Sequence, residues 1–342
     1  MTVSFVVPHW NRRDLLPAMM RSIERQRDSA PDGLEVIVVD NGSNDDSATA
    51  AETLGARVIR LDEISGFSAA VNLGIQAAKS DWVAIVNNDV ELEDGWLQEL
   101  MKKAEASSAW FATGKILDAA DRTQLDGAGD AGCRGGTAGR LGHGRPDSPL
   151  FARERRTVFP SATAALFRRE FFERAGGFDE AFFAYLEDVD LGLRAAIEDL
   201  PGVYVPEARA FHQASQTEGA WSPRVVAWMT CHQLLLLAKF YPARLLIRFA
   251  CPILAAQGLW AALAVSRGRG LSWLKGVIEG LRRAPGLRRS GVHFRTRSGR
   301  LPEALIAAEA EIGAVQRKLG WDSYWRWYFR LALPPVGEEA TA

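Results

Sequence analysis

The chain has 342 residues, 47% of them apolar and 24% charged, which allows one large domain or two modest ones and excludes a disordered, collagen-like or coiled-coil chain. Its 41 Lys and Arg against 42 Asp and Glu give a net charge of -1, so no nucleic-acid partner is expected. The charge is polarised, with 13 basic residues and the single acid Glu279 between Lys239 and Arg300.

Through the first hundred residues short apolar runs alternate with helical periodicity, the pattern of βαβ units in an α/β fold with a mostly parallel sheet. Strands are expected at 3–7, 35–39, 57–61 and 82–86, rich in Val and Ile, and helices at 11–26, 46–54, 67–78 and 93–104. Residues 127–144 hold eight glycines and read as a mobile loop or a loose hairpin. A strand at 162–167, helices at 169–175 and 188–198 and a short strand near Val203 then complete one domain, residues 1–220. Residues 221–342 read as a helical, basic region, with apolar helices at 225–240, 243–265 and 271–281 and a last amphipathic helix at 302–319. Cys133, Cys231 and Cys251 lack CxxC or zinc-ligand spacing, as in a reducing compartment. The first residues lack a basic n-region and a cleavage site, so residues 1–215 are expected in the cytoplasm.

Ligands bind outside the carboxyl ends of strands in a doubly wound sheet, and here those ends are polar. Pro8-His9-Trp10-Asn11 follows the first strand, Asp40-Asn41-Gly42-Ser43 the second and Asn87-Asn88-Asp89 the fourth. Asp-Asn-Gly-Ser alone is a turn signal, but three such ends on one edge suggest a site. GxGxxG is missing after the first strand and GxxxxGK[ST] throughout, which argues against a dehydrogenase and a P-loop enzyme.

Taken in order, these residues resemble the inverting nucleotide-sugar glycosyltransferases of family 2, and within them the rhamnosyltransferase-like bacterial members. The resemblance covers residues 3 to 240. It rests on Val6-Val7-Pro8 with Asn11, Val38-Val39-Asp40-Asn41-Gly42-Ser43, Gly66-Phe67 with Asn72, Asn87-Asn88-Asp89, Gly176-Gly177-Phe178-Asp179, Glu187-Asp188-Val189-Asp190 with Arg194, and His212. It implies a GT-A fold, a Rossmann-like mixed sheet flanked by helices, to which the helical C-terminal region is added.

Carried over by position, Pro8 and Asn11 shape the loop beneath the nucleotide. Asp40, with Asn41 beside it, accepts from the N3 position of a uracil or thymine, Gly66 admits the nucleotide and Asn72 fixes base or ribose. Asn87-Asn88-Asp89 stands where the family has its DxD-type motif, but the first position is Asn. The donor's diphosphate is therefore expected at Asn88 and Asp89, with Mg or Mn on Asp89 and His212 as a second candidate ligand. Asp188 is the expected general base, with Glu187 beside it, and the small residues Ser161, Ala162 and Thr163 line the sugar and acceptor pocket.

Residues 249–266 are uncharged, interrupted by Pro252, Gln257 and Gly258, and bounded by Arg248 and Arg267. A span would carry the basic segment 267–300 out of the cytoplasm, against the positive-inside rule. A helix lying in the inner leaflet satisfies both constraints, and Trp260, Trp273 and the cluster Trp321, Tyr324, Trp325, Trp327, Tyr328 suit that interface. The other reading is a helical lobe packed on the catalytic domain or on a second subunit of a homo-oligomer. The whole therefore reads as a cytoplasmic enzyme, peripheral on the inner face of the plasma membrane. It is expected to move a sugar from a nucleoside-diphosphate donor, dTDP-rhamnose or a UDP-sugar, to a cell-surface glycan or polyprenyl-linked acceptor. The alternatives are a polyprenyl-phosphate glycosyltransferase and a non-catalytic sugar-binding protein of the same fold.

Overall fold

A computed structural model describes residues 1–213, 219 and 221–332. The chain divides into two compact units, residues 1–130 with 140–216 and residues 131–139 with 217–342. The boundary expected at 220 falls among residues outside the described set.

The first unit opens with β1 (Thr2–His9), α1 (Leu16–Glu24), β2 (Gly33–Asn41), α2 (Ser47–Thr53), β3 (Arg57–Leu61), α3 (Phe67–Ala77) and β4 (Trp82–Val86). There follow β5 (Val90–Leu92), α4 (Trp96–Ala106), β6 (Phe111–Asp118) and β7 (Leu125–Gly127). The hairpin of β8 (Asp130–Gly132) and β9 (Ala138–Arg140), most of which belongs to the second unit, is followed by β10 (Arg155–Thr157), β11 (Ala164–Arg168), α5 (Arg169–Ala175), α6 (Glu187–Glu198) and β12 (Gly202–His212).

Ten strands form one mixed sheet whose main path runs β10-β12-β6-β11-β4-β1-β2-β3, with β5 on β12 and β7 on β6. β4, β1, β2 and β3 are parallel, whereas β11 runs antiparallel between β4 and β6. Strand alternation divides the core between the two sheet faces. Val3, Phe5 and Val7 pack with Leu16, Ile23, Trp96 and Leu100 on one face, and Val6 packs with Ile37, Val71, Ile85 and Phe167 on the other. Burial on both faces explains the near-continuous apolar text of β1 and β4.

Two expectations need correction. The glycine-rich stretch is an ordered, largely buried strand and hairpin, because its glycines serve close packing. A Cβ on Gly142 would meet Phe151 at 2.6 Å, and within the second unit one on Gly135 would meet Ala256 at 2.3 Å. The short strand near Val203 is the eleven-residue β12, whose register against β6 shifts between Val205 and Arg209. β6 itself escaped the pattern because Gly114 and Lys115 interrupt its apolar run, and Gly114 answers the bulge. A Cβ there would stand 2.1 Å from the Ala208 carbonyl oxygen.

The second unit contains α7 (Pro223–Phe240), α8 (Ala243–Arg248), α9 (Ala250–Ser266), α10 (Gly270–Ser290), α11 (Val292–Thr296), α12 (Leu301–Leu319) and α13 (Ser323–Leu331). The helix expected at 243–265 is thus broken at Phe249, and α13 follows the helix expected to be last. Arg134 of the hairpin and Glu309 of α12 form a buried ion pair, with the Tyr328 hydroxyl also donating to Glu309 at 2.9 Å. No helix among the described residues is long and apolar enough to cross a membrane.

Gly114→Ala is expected to destabilise the chain by at least about 1–3 kcal/mol, the usual cost of overpacking. The blocking atom is backbone and cannot rotate away. Urea denaturation checks this, and an unchanged midpoint would contradict the packing described at the bulge.

Candidate active site

β1 and β2 run in register with His9 opposite Asp40, and β4 flanks β1 on its other side. The chain therefore builds β1, β2 and β3 to one side and returns to β4 on the other, so the strand order reverses between β1 and β4. Such a reversal opens a crevice at the carboxyl ends of the strands. Pro8, Asp40, Asn41, Asn88 and Asp89 all stand at this edge.

Asp40 is buried and its Oδ1 has no hydrogen-bond partner. A buried acceptor left unpaired costs about 1–3 kcal/mol, so the position favours an incoming donor group. His9 is also buried, its Nδ1 lies 3.0 Å from the Asn88 amide nitrogen and its Nε2 has no partner. Burial lowers its pKa to about 4, against the pull of Asp40. The ring is thus neutral at pH 7, accepting from Asn88 and offering an N–H.

Asn11, at φ 54°, joins the first two strand ends. Its N–H donates to Ser43 Oγ at 2.7 Å and its side-chain oxygen accepts from the Asn44 N–H at 3.0 Å. Three other residues have a holding role within the protein. Asn41 accepts from the N–H and hydroxyl of Ser65 at 2.8 and 2.9 Å. Gly66, at φ 93°, admits Phe183, whose Cδ2 would stand 2.6 Å from a Cβ. Asn72 clamps Phe178 through both its carbonyl and its N–H, each at 2.8 Å.

His212, at the end of β12, bridges two carboxylates. Its Nδ1 lies 2.9 Å from Asp126 Oδ2 and its Nε2 3.3 Å from Asp89 Oδ1. Burial alone would lower its pKa, but the hydrogen bonds to Asp126 and Asp89 push it up to about 9. Asp126 is itself deeply buried, yet bonds from His143 and His212 and the Arg140 charge hold its carboxyl far below the usual range. No group of three or more His, Cys, Asp or Glu among the described residues is arranged to hold a metal by itself. A hard divalent ion could be held by Asp89 with its other ligands from a substrate, and His212 Nε2 would join it only by giving up the proton it shares with Asp89. Asp126 on the opposite nitrogen would then orient the ring.

Asp188 and Glu187 open α6, directly after Tyr185 and Leu186 in left-handed backbone conformation. Asp188 accepts from its neighbour Val189 at 2.8 Å and from the Ala162 N–H, while the Thr163 carbonyl accepts from the Asn87 N–H at 3.0 Å. Ala162 and Thr163 therefore tie the head of α6 to the Asn87-Asn88-Asp89 turn. Ser161 bonds to Asp130, a buried acid that burial and the Asp188 charge push up to about 7. Glu187 is raised well above its ordinary value by burial and then by Asp188, and Asp188 is raised by burial.

The family 2 glycosyl transferase pattern matches residues 4–176, just over half of the chain. The chain belongs to glycosyl transferase family 2. It is 30% identical over 238 residues to the O-antigen biosynthesis protein RfbC of Myxococcus xanthus, covering 67% of this chain but only 18% of that one. It is 32% identical over 213 residues to the N-acetylglucosaminyl-diphospho-decaprenol L-rhamnosyltransferase of Mycobacterium tuberculosis, covering 54% of this chain and 68% of the relative. Two solved structures show the same GT-A fold. GalNAc-T7 with UDP, GalNAc and Mn2+ covers 88% of this chain and 58% of its own at TM-score 0.58 and 14% identity. S. aureus TarS 1-349 covers 96% of this chain and 92% of its own at TM-score 0.54 and 15% identity.

This family 2 glycosyltransferase brings to the site four residues that the sequence reading passed over: Asp126, Asp130, Arg140 and His143. Asp130, Arg140 and His143 lie in the glycine-rich stretch 127–144 and Asp126 directly precedes it. The available signal was Asp126-Gly127-Ala128-Gly129-Asp130, two acids framing a run that any loop could have used for neutral residues.

Asn72→Ala is expected to cost about 1–3 kcal/mol, because it leaves both backbone groups of Phe178 without their partner. Denaturation and donor titration together check this. Weakened donor affinity at unchanged stability would restore Asn72 as a donor contact.

Proposed function

We propose that this glycosyltransferase moves a sugar from a nucleoside-diphosphate donor to a hydroxyl of a cell-surface glycan or lipid-linked oligosaccharide, inverting the anomeric carbon. The name of the mycobacterial relative favours dTDP-rhamnose among the donors and a polyprenyl-diphosphate-linked acceptor. One observation carries the reading: Asp188, a carboxylate of raised pKa, is tied through Ala162 and Thr163 to the turn that holds Asp89. A base and a diphosphate anchor are thereby held at one sheet edge.

The chemistry needs one base and a stabilised leaving group. Asp188 takes the proton of the acceptor hydroxyl as that oxygen bonds to the anomeric carbon. The bond from that carbon to the diphosphate breaks, and its electron pair leaves with the nucleoside diphosphate. Asp40 receives an N–H of the base, and His9 offers its Nε2–H at the switch point. Pro8 and Asn11 fix the loop beneath, with Asn88 holding His9. A divalent ion, Mg or Mn, at Asp89 and His212 would neutralise charge on the leaving diphosphate. Ser161, Ala162, Thr163 and Glu187 border the acceptor. The enzyme acts from the cytoplasm, peripheral on the inner face of the plasma membrane.

Thermal shift with UDP-glucose, UDP-galactose, UDP-GlcNAc, dTDP-rhamnose and GDP-mannose, with and without Mn or Mg, should show a metal-dependent shift with one donor. No shift with any of them would overturn the donor assignment. Asp188→Asn should lower kcat by about 10²–10⁴-fold while donor binding survives, and near wild-type transfer by this variant would remove Asp188 as the base. The raised carboxyls of Asp188, Glu187 and Asp130 are protonated at a higher pH than ordinary acids, and a protonated Asp188 accepts nothing. The transfer rate should therefore begin to fall, as the pH drops, at a higher pH than an ordinary carboxylate would impose. A rate flat down to the ordinary carboxylate range would contradict this.

A further inference from the structure

α10 packs by one side only. Gly276 and Gly280 let its backbone approach α7, where a Cβ on Gly276 would stand 2.4 Å from the Ala227 carbonyl oxygen and one on Gly280 2.9 Å from Leu234 Cδ1. At about 100° per residue, Leu271, Leu274, Ile278 and Leu281 fall on the opposite side. They are 79%, 46%, 60% and 63% exposed. Exposed Lys275, Arg282 and Arg289, spaced by seven, form a basic row along one flank of that stripe, in which Arg282 also pairs with Glu279 at 2.7 Å. Single exposed apolar residues are ordinary, but four large ones in a stripe beside a cationic row mark an interaction surface.

We propose that this face of α10 docks on an anionic lipid bilayer. The helix lies along the surface with its leucine and isoleucine side chains in the acyl boundary, and Lys275, Arg282 and Arg289 on the headgroup phosphates. Charge complementarity selects this occupant. In a two-fold dimer with the two copies of α10 antiparallel, the same patch meets itself and one basic row faces another. α10 is about 32 Å long at 1.5 Å per residue and, like the other described helices, is not apolar enough to span, so it suits a surface and not a crossing. α8 repeats the pairing, with Ile247 78% exposed beside exposed Arg248. The inference deepens the peripheral-membrane reading proposed above and rests on it.

The test is co-sedimentation of the full chain with vesicles of phosphatidylcholine alone and of phosphatidylcholine with phosphatidylglycerol. The wild type should bind the anionic vesicles, less so at high salt. Leu274→Ser with Ile278→Ser, and separately Lys275→Glu with Arg282→Glu and Arg289→Glu, should each lower the partition coefficient at least about tenfold. Both variants should keep the thermal midpoint and donor affinity. A wild type that binds neither vesicle overturns the membrane reading itself. Variants that bind as the wild type does overturn only the assignment of this face. Sedimentation velocity adds a third outcome: a dimer that both variants dissociate, with vesicle binding unchanged, would make the face a subunit interface and also overturn the proposal.

Discussion

One guanidinium makes the acidic edge of the first unit possible. Arg140 pairs with Asp126 and lies within the electrostatic reach of Asp130, Asp188 and Asp89. Burial opposes its charge, yet the four carboxylates hold its pKa up. Like charges gathered out of water protonate unless something compensates them, and the buried Asp126 has Arg140 as a compensating cation. Arg140 compensates unevenly. Asp126, bonded also to His143 and His212, is firmly ionised, whereas Asp130, Asp188 and Glu187 keep raised values. The edge thus divides into a part around His212 where cationic and anionic side chains pair and a proton-accepting part at the head of α6. The second is the condition a general base needs near neutral pH.

That division depends on where the sheet changes direction. Because β11 runs antiparallel between β4 and β6, its start lies beside the end of β4, and Ser161, Ala162 and Thr163 arrive next to Asn87. A parallel strand there would deliver its carboxyl end and the following loop instead. The small side chains leave their backbone groups free to bond: Ala162 donates to Asp188 and Thr163 accepts from Asn87.

The parallel half of the fold was legible because its rules are local. Trp82–Val86 and Arg57–Leu61 are apolar runs with turns at both ends, and the sequence places both strands where the structure has them. Polar strand ends announced Asp40 and Asp89 for the same reason. What escaped depends on tertiary partners. The glycines of 127–144 carry no sign of whether they grant mobility or close packing, since only Phe151 and the second unit's Ala256 decide it. Asp126 and Arg140 became part of the site through that packing. Asn72 carries the right residue type for a ligand contact, and nothing in its neighbours announced that its amide also holds Phe178, a residue 106 positions away.

The second unit shows how residue type misleads when only composition is read. Its aromatic residues looked suited to a membrane interface, yet most are engaged inside the unit. Trp260 stacks on Trp221 and donates to Thr230 at 2.8 Å, and Tyr328 is buried with its hydroxyl on Glu309. An aromatic ring with a polar tip satisfies a buried acceptor while filling volume, and the Arg134–Glu309 pair needs such partners. Leu and Ile have no tip to offer, and on α10 they occupy the side left open once Gly276 and Gly280 have brought the backbone against α7. The apolar stripe of α10 is therefore aliphatic, and it is set by which side of that helix the glycines occupy.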